Sequence, residues 1–160
     1  MKIGVSSYSF SQYIKSGKLT QLTAVAKAKE LGFDAIEFTE LMPPEGVSQA
    51  EYAKQIKAEA STCGIEISAY LVGANLAQKD NSAEIERLKT SLDVANALGA
   101  KLFRHDVMYG YDVFRSFDQA LPTLVAAIRE VTEYAQTLGI QTMTENHGYI
   151  CQDSDRVERL

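Results

Sequence analysis

The stretch ELGFDAIEF, residues 30–38, has a layout that recurs three more times along the chain. In each copy, a run with helical periodicity ends at a glycine and a short strand-like run follows. The other copies are TCGIEISAY at 62–70, ALGAKLFRH at 97–105 and TLGIQTMTEN at 137–146. Their glycines lie roughly 30 to 40 residues apart, which is the period of a βα unit. The pattern therefore predicts helices that alternate with strands.

The repeated glycines also mark where the helices end. A helix often finishes with a residue in the left-handed conformation, and glycine adopts that conformation without steric cost. The four glycines at these positions are Gly32, Gly64, Gly99 and Gly139. Signals for the starts of helices agree with this pattern, because three residue pairs have the spacing of a capping box. These pairs are Ser48 with Glu51, Asn81 with Glu84 and Asp155 with Glu158.

Five strands follow from this layout when the opening KIGVSSY is included. They are expected near residues 2–8, 33–39, 65–71, 101–107 and 140–146. Strands joined by single helices are parallel, with right-handed crossovers. Two architectures fit so far, a doubly wound sheet of the flavodoxin kind and part of a (βα)8 barrel.

Polar residues in the strands favour the barrel. The central strands of a doubly wound sheet are nearly continuous apolar runs, whereas a barrel gathers polar groups at the carboxyl ends of its strands. The polar residues are Glu37, Ser68, His105, Thr144 and Glu145. We interpret residues 1–160 as one domain with the first five strands and four full helices of a (βα)8 TIM barrel. Such barrels have roughly 250 residues, so the chain is expected to be an N-terminal part that stops within the helix after strand five.

Composition excludes several classes of protein. Sixteen basic and 21 acidic residues give a net charge of −5, which argues against a nucleic-acid partner. The N-terminus lacks the apolar core of a signal peptide, and no run is long enough for a membrane span. Cys63 and Cys151 stand apart without metal-binding spacing, so a reducing, cytoplasmic setting is expected.

Glu145 is the leading candidate for chemistry. It follows a predicted strand within TMTENHGYI, residues 142–150, and alternation places it on the same side as Met143 and His147. A carboxylate at a concave, partly desolvated position needs a partner. Mg²⁺ or Mn²⁺ would suit oxygen ligands, and Zn²⁺ or Co²⁺ would suit a mixture with imidazole. The alternative is a salt bridge from Glu145 to Arg104 on the neighbouring strand.

The sequence resembles the xylose isomerase-like TIM barrels, the sugar phosphate isomerase/epimerase group. The resemblance is carried by MKIGVSSYSF, by LGFDAIEF, and above all by TENHG followed by DSDRV. It implies one divalent metal held by glutamate, aspartate, histidine and glutamate from the later strands, with Glu145 as the first ligand. The other three ligands are then expected beyond Leu160, so the 160 residues alone are expected to be inactive.

The resemblance also implies a reaction and a substrate. The reaction moves hydrogen between adjacent carbons of a sugar, a sugar phosphate or a related hydroxy-carbonyl compound. His147 and His105 are substrate-binding candidates, and Asp106 is a weaker one. For His105 the alternative is a structural hydrogen bond, and for His147 it is capping the turn before Gly148. The residue that transfers the proton is not assigned.

Further candidates lie on the same predicted face. Glu37 is a substrate-binding candidate, with the alternative of a polar residue paired to a neighbour, and Tyr8 is another. The aromatic loop MYGYDVFRSF, residues 108–117, either forms a wall against the sugar or covers the rim of the barrel.

Two other functions remain open. A non-catalytic half-barrel that binds a ligand or pairs with a second half would form a defined homo-oligomer. An endonuclease of the same barrel group would need a histidine-rich, multi-zinc site and a basic surface. Two histidines and a net charge of −5 argue against the endonuclease.

Overall fold

The computed structural model describes residues 1–111, 113–147 and 150–160. The strands are β1 (Gly4–Ser6), β2 (Ala35–Thr39), β3 (Glu66–Val72), β4 (Leu102–His105) and β5 (Gln141–Met143). The helices are α1 (Ser11–Lys15), α2 (Gln21–Glu30), α3 (Gln49–Cys63), α4 (Ser82–Leu98), α5 (Phe117–Thr137) and α6 (Ser154–Glu158). A 3-10 helix, Ser7–Phe10, precedes α1. This helical segment after β1 was not predicted.

The strands form one sheet in the order β1-β2-β3-β4-β5. Pairing is parallel, with Gly4 opposite Ala35 between β1 and β2, and Ala35 opposite Glu66 between β2 and β3. A doubly wound sheet of the flavodoxin kind would place β1 inside the sheet, in the order 2-1-3-4-5. The sequential order therefore excludes that alternative and confirms the fold class of the (βα)8 barrel.

The repeated glycines end the helices as the sequence predicts. All four have positive φ, between 62° and 89°. The Ser48 side chain accepts a hydrogen bond from the backbone N–H of Glu51 at 3.2 Å, which confirms the start of α3.

The other two predicted caps are wrong. Among the residues that the structure describes, Asn81 Oδ1 has no hydrogen-bond partner, and Glu84 instead accepts from the backbone N–H of Asn75. Helix α6 begins at Ser154, so Asp155 already lies inside its first turn. In both places the spacing of the two residues alone did not determine the capping contact.

The chain divides into two compact units. The first comprises residues 1–71 and 93–102. In it, α2 packs against α3, and the core is closed by fully buried residues of α2, α3 and β2. These include Ala24, Val25, Ile56, Ile36 and Phe38.

The second unit comprises residues 72–92 and 103–160. Helix α5 packs along β5 and buries Leu124, Val131 and Ala135 completely. Within the described ranges, no helix combines the length and apolarity needed to cross a membrane.

The helix-ending glycines give a first test of the fold. Gly64 has φ 62° and ψ 44°, and a side chain there would meet open space. The cost of Gly64→Ala is therefore backbone strain alone, about 1 kcal/mol. We expect a melting temperature lower by about 2–4 °C in the full-length protein, measured by calorimetry. Gly64→Asn is the matched control and should recover part of the loss, because asparagine tolerates this conformation; an equal loss would contradict the strain argument.

Candidate functional site

Strand β4 sends its side chains in two directions. Phe103 and His105 are buried on one side, with His105 only 1% exposed. Arg104 points the other way, and its side chain keeps 16% of its surface exposed. The alternation of the strand therefore separates the histidine from the arginine.

His105 is held inside the second unit. Its ring lies 6.1 Å from that of Phe103, and Nδ1 lies 2.8 Å from the backbone oxygen of Asp106. Burial lowers the pKa of His105, so the imidazole is neutral near pH 7 and Nδ1–H donates to that oxygen. This is the geometry of the structural alternative, and a contact between His105 and substrate stays a prediction.

Buried His105 makes stability depend on pH. Since its pKa is lower in the folded than in the unfolded chain, the unfolded chain takes up a proton first as the pH falls. Its contribution to stability is complete above about pH 6.5 and is lost below that value, by up to about 1.4 kcal/mol per pH unit. His105→Asn keeps a donor but cannot titrate. We expect urea unfolding at pH 7 and pH 5 to show a smaller loss for the variant than for the wild type; equal losses would contradict the assignment.

Asp106, directly after β4, is the centre of a polar cluster. Arg104 donates to its Oδ1 at 2.6 Å, and the Tyr109 hydroxyl donates to its Oδ2 at 3.0 Å. The His147 ring adds Nδ1 at 3.5 Å from Oδ1. The Asp106 side chain is only 12% exposed, so these contacts replace most of its hydration.

Arg104 links Asp106 to the end of β5. Its Nη2 donates to Glu145 Oε1 at 3.1 Å, while Nη1 holds Asp106. The salt bridge offered as the alternative for Glu145 is therefore present. It engages one carboxylate oxygen of a side chain that is 49% exposed, so it does not consume the ligand capacity of Glu145. The metal role of Glu145 stays a prediction.

Most of this polar cluster lies along one wall of a cavity of about 320 Å³, although Arg104 itself is not among its lining residues. The lining residues are Asp106, Val107, Met108, Tyr109, Thr144, Glu145, His147 and Cys151. Its size is at the lower end for small-molecule sites, and its lining combines apolar surface with a few polar groups. The cavity therefore has the size and the mixed lining of a small-molecule site.

The donor set fits one corner of a metal site. Glu145 offers a half-exposed oxygen ligand at a strand end, which suits a hard divalent ion. Among the described residues, however, no three histidine, cysteine, aspartate or glutamate side chains come together to hold a metal. One carboxylate supplies a single ligand, so a metal bound at Glu145 would need its other ligands from outside the described residues.

The remaining candidates belong to the first unit. Glu37 lies on β2 opposite Ser6, and its side chain is partly exposed. Tyr8 lies in the 3-10 helix after β1 and is largely exposed. The turn at Gly148, which gave the alternative role for His147, lies outside the described residues. So does Asp112 of the aromatic loop. Roles in substrate binding stay predictions for Glu37, Tyr8 and His147.

Sequence reasoning missed how the cluster is organised. It treated Arg104 only as a salt-bridge partner and Asp106 as a weak candidate, whereas the structure joins both to Glu145. The available signal was the arginine itself, since a charged residue inside a short buried strand requires opposite charge nearby.

Comparison with known proteins agrees with this architecture. The sequence model of the xylose isomerase-like TIM barrel family matches residues 25–160. No functionally curated protein matches the sequence.

Solved structures similar to this chain include three proteins of related description. A D-psicose 3-epimerase, solved with D-fructose, has 20% identity and a TM-score of 0.69 over 89% of this chain and 51% of its own. A sugar phosphate isomerase/epimerase from Parabacteroides distasonis ATCC 8503 has 14% identity and a TM-score of 0.67 over 94% and 59%. A xylose isomerase-like TIM barrel/4-hydroxyphenylpyruvate dioxygenase fusion protein has 20% identity and a TM-score of 0.71 over 98% and 24%.

These identities support a shared fold, and the chain spans only about half the length of the epimerase. The fold class, the sequential parallel sheet and the family match over residues 25–160 agree with one another. The chain belongs to the xylose isomerase-like TIM barrel family.

Proposed function

We propose that the full-length protein is a metal-dependent isomerase or epimerase of a sugar, a sugar phosphate or a related hydroxy-carbonyl compound. Residues 1–160 would be the N-terminal part of its barrel. One observation carries the proposal: Glu145 lies at the end of β5 beside a small cavity, and within the described part of the chain its pair with Arg104 uses only one of its carboxylate oxygens. Family membership and the solved isomerase and epimerase structures support it.

The described residues would have different roles in binding the metal and the substrate. Glu145 would be the first ligand of the divalent ion, and Mn²⁺, Mg²⁺, Zn²⁺ and Co²⁺ all remain candidates. Bound there, the ion would supply a Lewis acid for the carbonyl and hydroxyl oxygens of the substrate. Arg104 would restrict the rotamers of Glu145, and His147 would donate to substrate hydroxyls from the cavity wall. The residue that moves the proton is not assigned.

The cavity supports a small-molecule substrate. Its volume of about 320 Å³ suits a monosaccharide, and both apolar and polar groups line it. A monosaccharide presents apolar C–H faces together with several hydroxyls, so it matches such a lining.

The two cysteines are unpaired, which supports a reducing, cytoplasmic compartment.

Turnover of a defined sugar panel tests the proposal. Full-length protein would be incubated with ketohexoses, aldoses and their phosphates in D₂O, with Mn²⁺ or with EDTA, and followed by NMR. We expect conversion of at least one sugar with Mn²⁺ and its loss with EDTA. A protein of verified fold and full metal loading that converts none of them would contradict the proposal.

A non-catalytic half-barrel is the second candidate. Met143 on β5 is partly exposed, and an uncovered apolar residue on a strand can be buried by assembly with a second copy. The intact mass of the native gene product and its mass in solution separate the two functions. A product well above 17.6 kDa favours the enzyme, whereas a 17.6 kDa chain in a defined homo-oligomer favours the half-barrel.

A further inference from the structure

Two loops of the second unit meet at Gly73 and Tyr109. A Cβ at position 73 would come closer to the hydroxyl oxygen of Tyr109 than van der Waals contact allows. This close approach is possible only because glycine has no side chain. The same hydroxyl donates to Asp106 Oδ2 at 3.0 Å, so one group connects the loop after β3 with the end of β4.

Hydrogen bonds from helix α4 restrain the loop that contains Gly73. Arg87 Nη2 donates to the backbone oxygen of Gly73 at 2.6 Å and to Glu84 Oε1 at 2.8 Å. Glu84 Oε1 also accepts from the backbone N–H of Asn75 at 2.9 Å. Helix α4 therefore holds the loop at Gly73 and again at Asn75, so Tyr109 contacts a restrained surface.

Tyr109 is held at its tip while its ring lines the cavity. The residue is 60% exposed, yet its hydroxyl contacts both Gly73 and Asp106. Burial and the negative charge of Asp106 raise the pKa of Tyr109, which agrees with a donating hydroxyl. An exposed tyrosine with an anchored hydroxyl loses little of its ring surface to the core, so the ring remains available to a ligand.

We propose that Tyr109, whose hydroxyl contacts Gly73, is a positioning and specificity-determining residue. Its hydroxyl fixes the orientation of Asp106, and its ring forms the wall against which the apolar face of the sugar packs. This role rests on the proposed function. It explains why position 73 is glycine although its φ does not require one.

Two variants of the full-length protein test this from opposite sides of the contact. Gly73→Ala displaces the hydroxyl and leaves Tyr109 unchanged, whereas Tyr109→Phe removes the hydroxyl and keeps the ring. Gly4→Ala is the matched control, because a Cβ at position 4 would make ordinary contacts of 3.6 Å with Ala35. For the sugar converted by the wild type, we expect both test variants to raise KM about tenfold and to change kcat less than threefold.

The double variant Gly73→Ala/Tyr109→Phe should have the KM of Tyr109→Phe alone, because both single changes break the same contact.

NMR titration of tyrosine labelled with ¹³C at Cζ, with Tyr109→Phe for assignment, gives a readout that needs no substrate. Gly73→Ala should lower the pKa of Tyr109 towards its ordinary value, and Gly4→Ala should not. An unchanged Tyr109 titration in Gly73→Ala, or an unchanged KM in Tyr109→Phe, would overturn the inference. If the wild type converts no sugar, the proposed function is wrong. The titration would still show whether the Tyr109 hydroxyl contacts Gly73 and Asp106.

Discussion

Arg104→Met in the full-length protein is expected to lower the free energy of unfolding by about 2–3 kcal/mol. The change leaves Asp106 without its 2.6 Å partner in a position where only 12% of its side chain is exposed. Removing one partner of a buried ion pair costs about 3–5 kcal/mol, and the residual exposure of both side chains reduces that figure. Urea unfolding monitored by circular dichroism would measure the loss.

Arg129→Met is the matched control for Arg104. Arg129 lies exposed on α5, so its replacement should change the free energy of unfolding by less than about 0.5 kcal/mol. Equal effects of the two substitutions would show that the Arg104 cluster contributes no more than an ordinary surface charge.

Glu145→Gln is expected to have the largest effect on function. Replacing a carboxylate ligand by an amide of the same shape removes its charge, and Mn²⁺ affinity of the full-length protein should fall at least about 100-fold. Loss of an outer-shell partner alone costs about 10–100-fold, so loss of the ligand should cost no less. Isothermal titration with Mn²⁺ would measure the affinity, and Mn²⁺-dependent turnover should fall in parallel.

Global unfolding should not explain that loss. Glu145 is 49% exposed, so its pair with Arg104 contributes only about 0–1 kcal/mol to stability. Glu133→Gln, at an exposed position on α5, should leave both affinity and turnover unchanged. If Glu145→Gln bound Mn²⁺ as tightly as the wild type, Glu145 would not be a ligand.

The repeat was a sufficient guide to the fold because its signals are local. Gly32, Gly64, Gly99 and Gly139 each need a left-handed backbone at a helix end, and this requirement depends on the glycine alone. Four such ends with strand-like runs after them leave few topologies, and the polar strand ends separated the barrel from the doubly wound sheet.

The cluster was harder to predict because it depends on where strands end and on long-range contacts. Strand β5 ends at Met143, so the alternation used to place Glu145 and His147 on one side does not extend to them. The pairing of Arg104 with Glu145 joins residues 41 positions apart, and the contact between Tyr109 and Gly73 joins two different loops. No periodicity in the sequence encodes such contacts.

A crystal structure of the full-length protein grown with Mn²⁺, with the ion located by anomalous diffraction, would test the metal role of Glu145 most directly. We expect one Mn²⁺ about 2.0–2.3 Å from a carboxylate oxygen of Glu145, with the other ligands contributed by residues beyond 160. An ion bound elsewhere, with Glu145 still paired only to Arg104, would contradict the proposed site and leave the glutamate a purely structural role.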